Sequence, residues 1–312
     1  STTVKTTPVE HHRHSQSHST KTTEKGFYEK YYKQLLLIPI LMLVIAIGLI
    51  GLQYAQTGDF LNKGIALKGG TAVTLTDDIV DLDSIDVLSL EEQLRSSFPN
   101  ADVTTRLQQQ LTERVAINVE IDFVEDAQVN EFRQVLVSHL DGLTNEEVSE
   151  NLLTTGSSLG QAFFKQVLTA LLVAFVLMGI VVFIKFKVPV PSFAVILAAF
   201  SDIVVTLAIV NVLGIKLSTA GIAAFLMLIG YSVDTDILLS TRVLHRTGGT
   251  VHDRIMSAFR TGMTMNITTL VAIGIALVVS KSPTLTEIMT ILFIGLIVDM
   301  IYTWLQNAGI LR

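Results

Sequence analysis

Residues 217–242 read LSTAGIAAFLMLIGYSVDTDILLSTR, an apolar run long enough to cross a bilayer as one helix. Two acidic residues, Asp234 and Asp236, nevertheless lie well inside this run. Ionisable side chains at membrane depth are energetically unfavourable, and they therefore indicate a functional site. At about 1.5 Å per helical residue, Asp234 lies roughly 22 Å from a helix start near Thr219, in the half of the membrane closer to Arg242. The stretch thus predicts a membrane-spanning helix that carries a functional acid.

The two acids of this helix point in different directions. They are about 200° apart on a helical wheel, so only one of them can face a given neighbour. We favour Asp234, because Gly230 and Tyr231 lie one turn earlier on the same side and leave room for another helix. Asp236 is the alternative, either as the functional acid itself or as a polar lining residue.

The composition places the whole chain in the class of polytopic membrane proteins. Of its 312 residues, 50% are hydrophobic and 16% are charged, and the mean hydropathy is +0.54. There is no cysteine, so disulfides and thiolate metal sites are excluded. No Walker or HExxH motif is present, and GSSLG at 156–160 lacks the preceding strand of a nucleophile elbow. We therefore predict a protein that is not an enzyme and needs no cofactor.

The pattern of polar and apolar residues divides the chain into four parts. Residues 1–33 form a polar tail, which we expect to be disordered and cytoplasmic, and residues 34–54 form a first, uncleaved spanning helix. Residues 55–160 have the pattern of a water-exposed domain, and residues 161–312 contain the remaining spans. These five spans are predicted at about 162–184, 189–213, 218–240, 261–280 and 285–307.

The water-exposed part, 55–160, predicts a small α+β domain. Strand character is found at 64–76, 102–110 and 114–123, and amphipathic helices are indicated at 89–98 and 126–140. The order strand, helix, strand, strand, helix suggests a ferredoxin-like fold outside the membrane. This part carries 19 Asp and Glu against 6 Lys and Arg, so it is strongly acidic and is not expected to bind nucleic acid.

Basic residues indicate the orientation in the membrane. Cytoplasmic loops carry an excess of Lys and Arg, which predicts that both termini are cytoplasmic and that the acidic domain is outside. The loops on the predicted inner side contain Lys185, Lys187, Arg242, Arg246, Arg254 and Arg260, and those on the outer side contain only Lys216 and Lys281. The connection at 246–260 predicts a short amphipathic helix that lies in the interface.

Further candidate site residues lie on the other spans. Asp202 and Asp299 are also at membrane depth; we include Asp202 among the ion-coupling residues and interpret Asp299 as structural or water-facing. Arg260 opens the fifth span from the cytoplasmic side. Its long side chain can reach inward toward Asp234 or extend to the headgroups, and we favour the inward direction.

Three motifs resemble those of the SecF family of protein-export membrane proteins. GIALKGGTAV at 64–73 is similar to the family's GIDFxGGT signature, with Ala66 in place of the usual acid, so no charge-based role carries over to that position. LIGYSVDTDILLSTRV at 228–243 is similar to its GYSxxD segment, although its acid-to-arginine spacing resembles SecD more closely. FRTGMTMNITTL at 259–270 resembles the start of its fifth span. The matching motif residues are Gly69, Gly70, Thr71, Gly230, Tyr231, Ser232 and Arg242.

The resemblance implies an archaeal half-transporter of the resistance-nodulation-division type, with six spans that pair with the six spans of SecD. It implies a location in the cytoplasmic membrane, where the pair would assist a SecYE-type channel and act on the translocating polypeptide. The transmembrane ion gradient would then drive late steps of export. The ion is either a proton or sodium, and the acid that carries it is either Asp234 or Asp236.

A mechanism follows if Arg260 pairs with deprotonated Asp234. Protonation then removes the attraction and lets the fourth and fifth spans separate.

Two alternative functions stay open. One is half of a small-molecule or lipid exporter. The external domain of about 105 residues argues against it, because such an exporter needs a larger domain with a substrate pocket. The other is a passive scaffold of the translocation channel.

Overall fold

A computed structural model describes residues 34–110, 113–140, 142–245, 250–280 and 282–311. The predicted tail at 1–33 lies outside these residues. In chain order the elements are α1 (Leu37–Thr57), α2 (Ile65–Lys68), β1 (Gly70–Thr76), a 3₁₀ turn (Leu82–Ser84), α3 (Val87–Ser97), β2 (Thr104–Gln110), β3 (Glu113–Ile121), α4 (Asp126–His139), α5 (Asn145–Glu150), β4 (Leu152–Thr155), α6 (Ser157–Phe186), α7 (Pro189–Val212), α8 (Thr219–His245), α9 (Val251–Val279), α10 (Pro283–Ile301), a π-helical segment (Tyr302–Asn307) and α11 (Ala308–Ile310).

Six of these helices are long and apolar enough to cross a membrane: α1, α6, α7, α8, α9 and the helix formed by α10 with the segments that follow it. This confirms the predicted fold class of six spans. α7, α8 and α10 contribute most of the buried residues, whereas α1, α6 and α9 are largely exposed on the outside of the bundle. The acids on α7, α8 and α10 therefore lie on the helices that form the centre.

The part between α1 and α6 has the ferredoxin-like fold that the sequence predicts. Its four strands are all antiparallel, in the order β2-β3-β1-β4. Strand β1 lies between β3 and β4, with Thr71 opposite both Ile121 and Thr154. Alternate residues of β1 and β3 point to one face of the sheet, where they pack against α3 and α4. This core consists mainly of Val73, Leu75, Leu90, Leu94, Ile117, Val119, Ile121, Phe132 and Leu136.

The fourth strand and the helix before it were missed in the sequence. β4 comprises only four residues, LLTT, and α5 only six. Such short elements do not establish a periodicity that can be recognised without the partner strand. Pairing with β1 is what makes Leu152–Thr155 a strand, and it completes the ferredoxin-like topology.

The strand predicted at 64–76 is wrong in its first half. Ile65–Lys68 form one helical turn, and the strand begins only at Gly70. Gly69 and Gly70 have φ values of 92° and 146°, which side chains rarely tolerate, and a Cβ on Gly70 would lie 2.6 Å from the Ile121 carbonyl oxygen. The glycine pair thus turns the chain sharply from α2 into the sheet.

The short interfacial helix predicted at 246–260 is also wrong. α9 begins at Val251 and continues unbroken to Val279, so the predicted segment is the first part of a spanning helix. Thr250 caps it in a reciprocal arrangement with Asp253, as in a capping box. Residues 246–249 lie outside the described residues. GSSLG is only partly as predicted. Gly156 is the turn into α6, but β4 ends at Thr155 directly before it, so the expectation that no strand precedes the motif is wrong. Residues 157–160 already form the first turn of α6.

Candidate functional site

Three aspartates from three helices lie in the centre of the bundle, and we call them the acid cluster. Asp202 on α7 is 1% exposed, and Asp236 on α8 and Asp299 on α10 are 0% exposed. Each helix presents its acid on the buried face that packs against the others. The bundle therefore encloses three ionisable groups at membrane depth, an arrangement that marks functional sites in membrane proteins.

Polar side chains bind two of the three carboxylates. The Thr303 hydroxyl lies 3.0 Å from Oδ1 of Asp236 and 3.2 Å from Oδ1 of Asp299, so its single proton is shared between the two acids and bridges them. Asn307 donates to the same oxygen of Asp236 at 2.7 Å. Asn266 on α9 donates to Asp299 at 3.4 Å. The cluster is therefore tied to α9 and to the chain beyond α10.

The third carboxylate is held by α8. Ser232 donates a hydrogen bond to Asp202 at 2.5 Å, which links α7 to α8 one turn before Asp236. Oδ1 of Asp202 and Oδ2 of Asp236 are buried, and neither accepts a hydrogen bond from the residues that the structure describes. Buried polar atoms are rarely left without a partner, and those that are require a functional or structural explanation.

A π-helical segment lies directly beside the acid cluster. Residues Tyr302–Asn307 follow α10 without a break, and their wider turn places Thr303 and Asn307 side by side on Asp236. Single π-helical turns inside α-helices occur frequently at functional sites. Trp304, on the same segment, packs edge-on against Phe259 and lies directly over Gly262 of α9.

No cation balances the cluster within the part of the chain that the structure describes. The ion pairs found there join residues of the external domain, of the α1–α2 connection and of the α7–α8 connection, and none includes Asp202, Asp236 or Asp299. In the same residues, no group of three or more His, Cys, Asp or Glu side chains is arranged to hold a metal ion.

Asp234 lies outside the cluster, on the opposite face of α8. Its side chain is exposed, as are Met227, Gly230 and Tyr231, which precede it at helical spacing. A Cβ on Gly230 would meet nothing within 4 Å. We call these four residues the exposed stripe of α8. The wheel argument that separates Asp234 from Asp236 therefore holds in the structure.

Arg260 does not contact Asp234 in this structure. Its side chain is exposed on α9, and neither residue takes part in an ion pair of the described chain. Arg260 borders a polar cavity of about 400 Å³ near the N-terminal end of α9, together with Arg242. Arg242 donates to the Ser257 carbonyl and hydroxyl at 2.7 and 2.8 Å, and so fixes the end of α8 to α9.

The structure thus sorts the sequence-based candidates into groups. Asp202 and Asp236 lie together in the acid cluster with Asp299 of α10, which the sequence predicted to be structural or water-facing. Ser232, selected only as a motif residue, binds Asp202. Gly69, Gly70 and Thr71 are not in this site but at the base of the external domain. Sequence reasoning missed Asn266, Thr303 and Asn307, for which the available signal was polar side chains within predicted spans.

Asp102, which precedes β2, lies close to the junction of the two parts and has a shifted pKa. Burial raises its pKa, but the hydrogen bond from Lys68 and the charges of Lys216 and Lys68 outweigh that effect, so the pKa lies below the usual 3.8. Lys68 lies 3.0 Å and Lys216 3.6 Å from its carboxylate. Asp102 therefore stays ionised and joins the external domain to the α7–α8 connection.

The topology defines a class of membrane protein: six candidate spans with a ferredoxin-like domain between the first two, the fold of one part of SecDF. A solved structure of SecDF, a translocon-associated membrane protein from Thermus, superimposes with a TM-score of 0.73 at 22% identity. The match covers 92% of this chain and 38% of that chain, so this chain spans well under half of the larger protein.

Sequence comparison identifies the family. Residues 136–312 match the family described as protein export membrane protein SecD/SecF, C-terminal. The protein-export membrane protein SecF of Pyrococcus furiosus is 37% identical over 280 residues, 90% of each chain. That of Methanocaldococcus jannaschii is 38% identical over 288 residues, 91% of this chain and 95% of its own. The chain belongs to the SecF family of protein-export membrane proteins, as the motif resemblance implied.

Proposed function

We propose that this chain is a SecF subunit that promotes late steps of protein export by using the ion gradient across the cytoplasmic membrane. The observation that carries the proposal is the acid cluster. Three carboxylates are buried at membrane depth, and no Lys or Arg of the described chain lies within 4 Å of them. Burying several uncompensated charges is strongly unfavourable, so the cluster requires a cation.

Protons or sodium ions can supply that charge. Among the described residues, none donates a hydrogen bond to Oδ1 of Asp202 or Oδ2 of Asp236, and these two oxygens are therefore available to a cation. Carboxylate oxygens bind protons and hard cations alike, so the chemistry of these two oxygens is compatible with either ion. Loading and release change the charge between α7, α8 and α10, and this charge change drives a movement of the helices.

The partner completes the site on the other side of α8. Asp234 is exposed at membrane depth, where contact with lipid is unfavourable. We place SecD over the exposed stripe, with its six spans against the six described here, and the SecYE-type channel and the translocating polypeptide beside the pair. Asp234 and Arg260 then alternate between a direct ion pair and contacts with SecD as the ion is exchanged. Both termini lie in the cytoplasm, in agreement with the basic loops.

Substitution of the acids tests the proposal. Asp234→Asn, Asp236→Asn and Arg260→Met are expected to abolish the gradient-dependent stimulation of export in membrane vesicles, whereas copurification with SecD is unchanged. Asp126→Asn, an exposed acid at the start of α4, is the matched control and should leave export unaffected. Full activity in all three site variants would refute ion coupling.

A protonophore and a sodium ionophore, applied separately to vesicles with the unchanged protein, identify the ion. The ionophore that removes the stimulation identifies proton or sodium. If neither ionophore changes the stimulation of export, the result supports a passive scaffold that does not use an ion gradient.

A further inference from the structure

The connection between α1 and the external domain is fastened to the membrane bundle by a dense set of hydrogen bonds. Residues 60–64, together with Asn211 at the end of α7 and Leu217 just before α8, form what we call the outer joint. Nothing in the ion-coupling site explains this arrangement. It lies at the opposite, outer end of the bundle from the cytoplasmic arginines.

Asn62 forms the centre of the outer joint. Its backbone N–H donates to the Asn211 side chain at 3.2 Å, and its side-chain amide donates to the Asn211 carbonyl at 3.1 Å. Its side-chain oxygen accepts from Gln53 of α1 at 2.8 Å, and its carbonyl accepts from the Leu217 N–H at 2.7 Å. All four hydrogen-bonding groups of Asn62 are therefore used, and they bind α1, α7 and the connection that precedes α8.

Two further bonds close the joint. The Asn211 side-chain amide donates to the Phe60 carbonyl at 3.0 Å. The side chain of Asn62 thus binds the backbone of Asn211, and the side chain of Asn211 binds the backbone two residues before Asn62. The Gly64 N–H donates to the Leu217 carbonyl at 2.8 Å, and a Cβ on Gly64 would lie 3.2 Å from that oxygen. The close approach favours glycine at position 64, the first glycine of the GIALKGG motif.

On the membrane side, the joint continues into the helices of the acid cluster. Leu217 is followed by Ser218, whose N–H and hydroxyl donate to Glu287 of α10, both at 2.7 Å. A Cβ on Gly221 would lie 2.1 Å from a Glu287 oxygen, so the carboxylate lies tightly against the first turn of α8. The outer ends of α8 and α10, which carry Asp236 and Asp299, are thus fixed to each other and to Leu217.

On the external side, the joint continues into the sheet. Gly64 leads directly into α2, and α2 into the glycine pair that begins β1. α2 lies against the start of α6, where a Cβ on Gly160 would be 2.9 Å from the Gly69 nitrogen. A displacement of Leu217 therefore reaches β1 of the external domain through residues 64–70.

We infer that the outer joint is the mechanical connection through which movement of α8 and α10 reaches the external domain, with Asn62 and Asn211 as its positioning residues. The inference rests on the proposed function, because it needs a movement to transmit. Energetic coupling between distant sites travels through rigid elements joined by packed contacts and hydrogen bonds, and α8 is such an element between Asp236 and Leu217. The inference gives the motif glycines a transmitting role in addition to their role in the turn.

Alanine substitution tests the joint in the full chain together with SecD. Asn62→Ala and Asn211→Ala are expected to lower export stimulation by about fivefold or more. Fivefold is about the smallest effect that is typical of energetic coupling between two distant sites. Gradient-driven ion uptake into proteoliposomes should persist, because the acid cluster is untouched. Asn145→Ala, on the exposed start of α5, is the matched control. Loss of uptake together with export, or no loss of either, would overturn the inference.

A covalent replacement provides the complementary test. The sequence contains no cysteine, so the double variant Asn62→Cys and Asn211→Cys has a single possible disulfide. The reduced protein should lose export stimulation like the alanine variants, and the oxidised protein should regain it, because a disulfide restores the connection without the hydrogen bonds. An oxidised, folded protein without export stimulation would contradict a transmitting role. The ion-coupling proposal is tested separately by Asp234→Asn and Asp236→Asn, which affect ion uptake itself.

Discussion

Asn307 donates a hydrogen bond of 2.7 Å to the buried carboxylate of Asp236 and so joins the π-helical end of the last span to α8. Both residues are 0% exposed. Thr303, one turn earlier, binds the same oxygen. A buried carboxylate depends on such donors for its solvation, so this bond supports both the fold and the ion site.

Loss of this donor should destabilise the protein. Asn307→Leu leaves Asp236 with Thr303 alone, and we expect the free energy of unfolding to fall by about 1–3 kcal/mol, as for other unsatisfied buried groups. Thermal unfolding in detergent, followed by circular dichroism, measures the effect. Asn145→Leu at an exposed position should change stability by less than about 0.5 kcal/mol. Equal melting temperatures for the two variants would show that the bond contributes nothing to stability.

The contact between α9 and the π-helical segment requires glycine. A Cβ on Gly262 would lie 2.4 Å from the Trp304 ring, and that ring is buried against Phe259. We expect Gly262→Ala to cost about 1–3 kcal/mol, because the ring must move in a packed core. Gly274→Ala is the matched control on the same helix, with open space around its Cβ.

The control should stabilise the protein by up to about 1 kcal/mol, because alanine favours a helix over glycine. Denaturation of both variants in the same detergent gives the comparison. If Gly262→Ala is as stable as Gly274→Ala, the close packing of Trp304 on α9 is not a constraint.

The spans were predictable because a long apolar run has few alternatives to a helix. The alternation in 114–123 and the helical spacing of Phe132 and Leu136 likewise predicted β3 and α4, because each element buries one face. The two acids of α8 were correctly placed on different faces by the same geometry. Periodicity therefore specified which side of an element is buried.

Periodicity did not specify which buried faces meet. The choice of Asp234 over Asp236 depended on small neighbours on one side of α8, and in the structure that side is the exposed one. The contacts of Asp236 come from Thr303 and Asn307, about seventy residues later. The π-helical turn that aligns these two donors has no separate sequence signal, because its residues would also fit an α-helix. Long-range packing decides such features.

The exposed stripe of α8 predicts where the partner packs. Gly230 has open space around its Cβ, so Gly230→Leu should not affect the stability of the isolated chain. If a helix of SecD packs there, the added side chain separates the two helices, since small residues allow close approach in membranes. We therefore expect copurification with SecD to fall strongly.

Gly48→Leu on α1, which also has open space around its Cβ, is the control and should leave copurification unchanged. Reduced copurification for both variants would indicate a general defect of assembly. An unchanged amount of SecD with Gly230→Leu would place the partner on another face.

The contact of Asp102 with Lys68 and Lys216 predicts a pH dependence outside the membrane. The pKa of Asp102 is lowered from 3.8, so the folded state favours the ionised form. A group with a depressed pKa contributes its full stabilisation above the ordinary value and loses it as the pH falls through the folded pKa. The attachment of β2 to the α7–α8 connection should therefore weaken below about pH 3.8.

Hydrogen exchange of the backbone amides at 102–106 and 216–218, measured between pH 6 and pH 3 after correction for the intrinsic rate, tests this expectation. Protection in the unchanged protein should decrease toward low pH, whereas Asp102→Asn should show reduced protection at every pH and a smaller dependence. The effect is modest, at most about 1 kcal/mol, because the pair is half exposed and solvent screens it. Asp81→Asn, away from this contact, should retain the pH dependence of the unchanged protein. A pH profile for Asp102→Asn that coincides with that of Asp81→Asn would assign the dependence to other carboxylates.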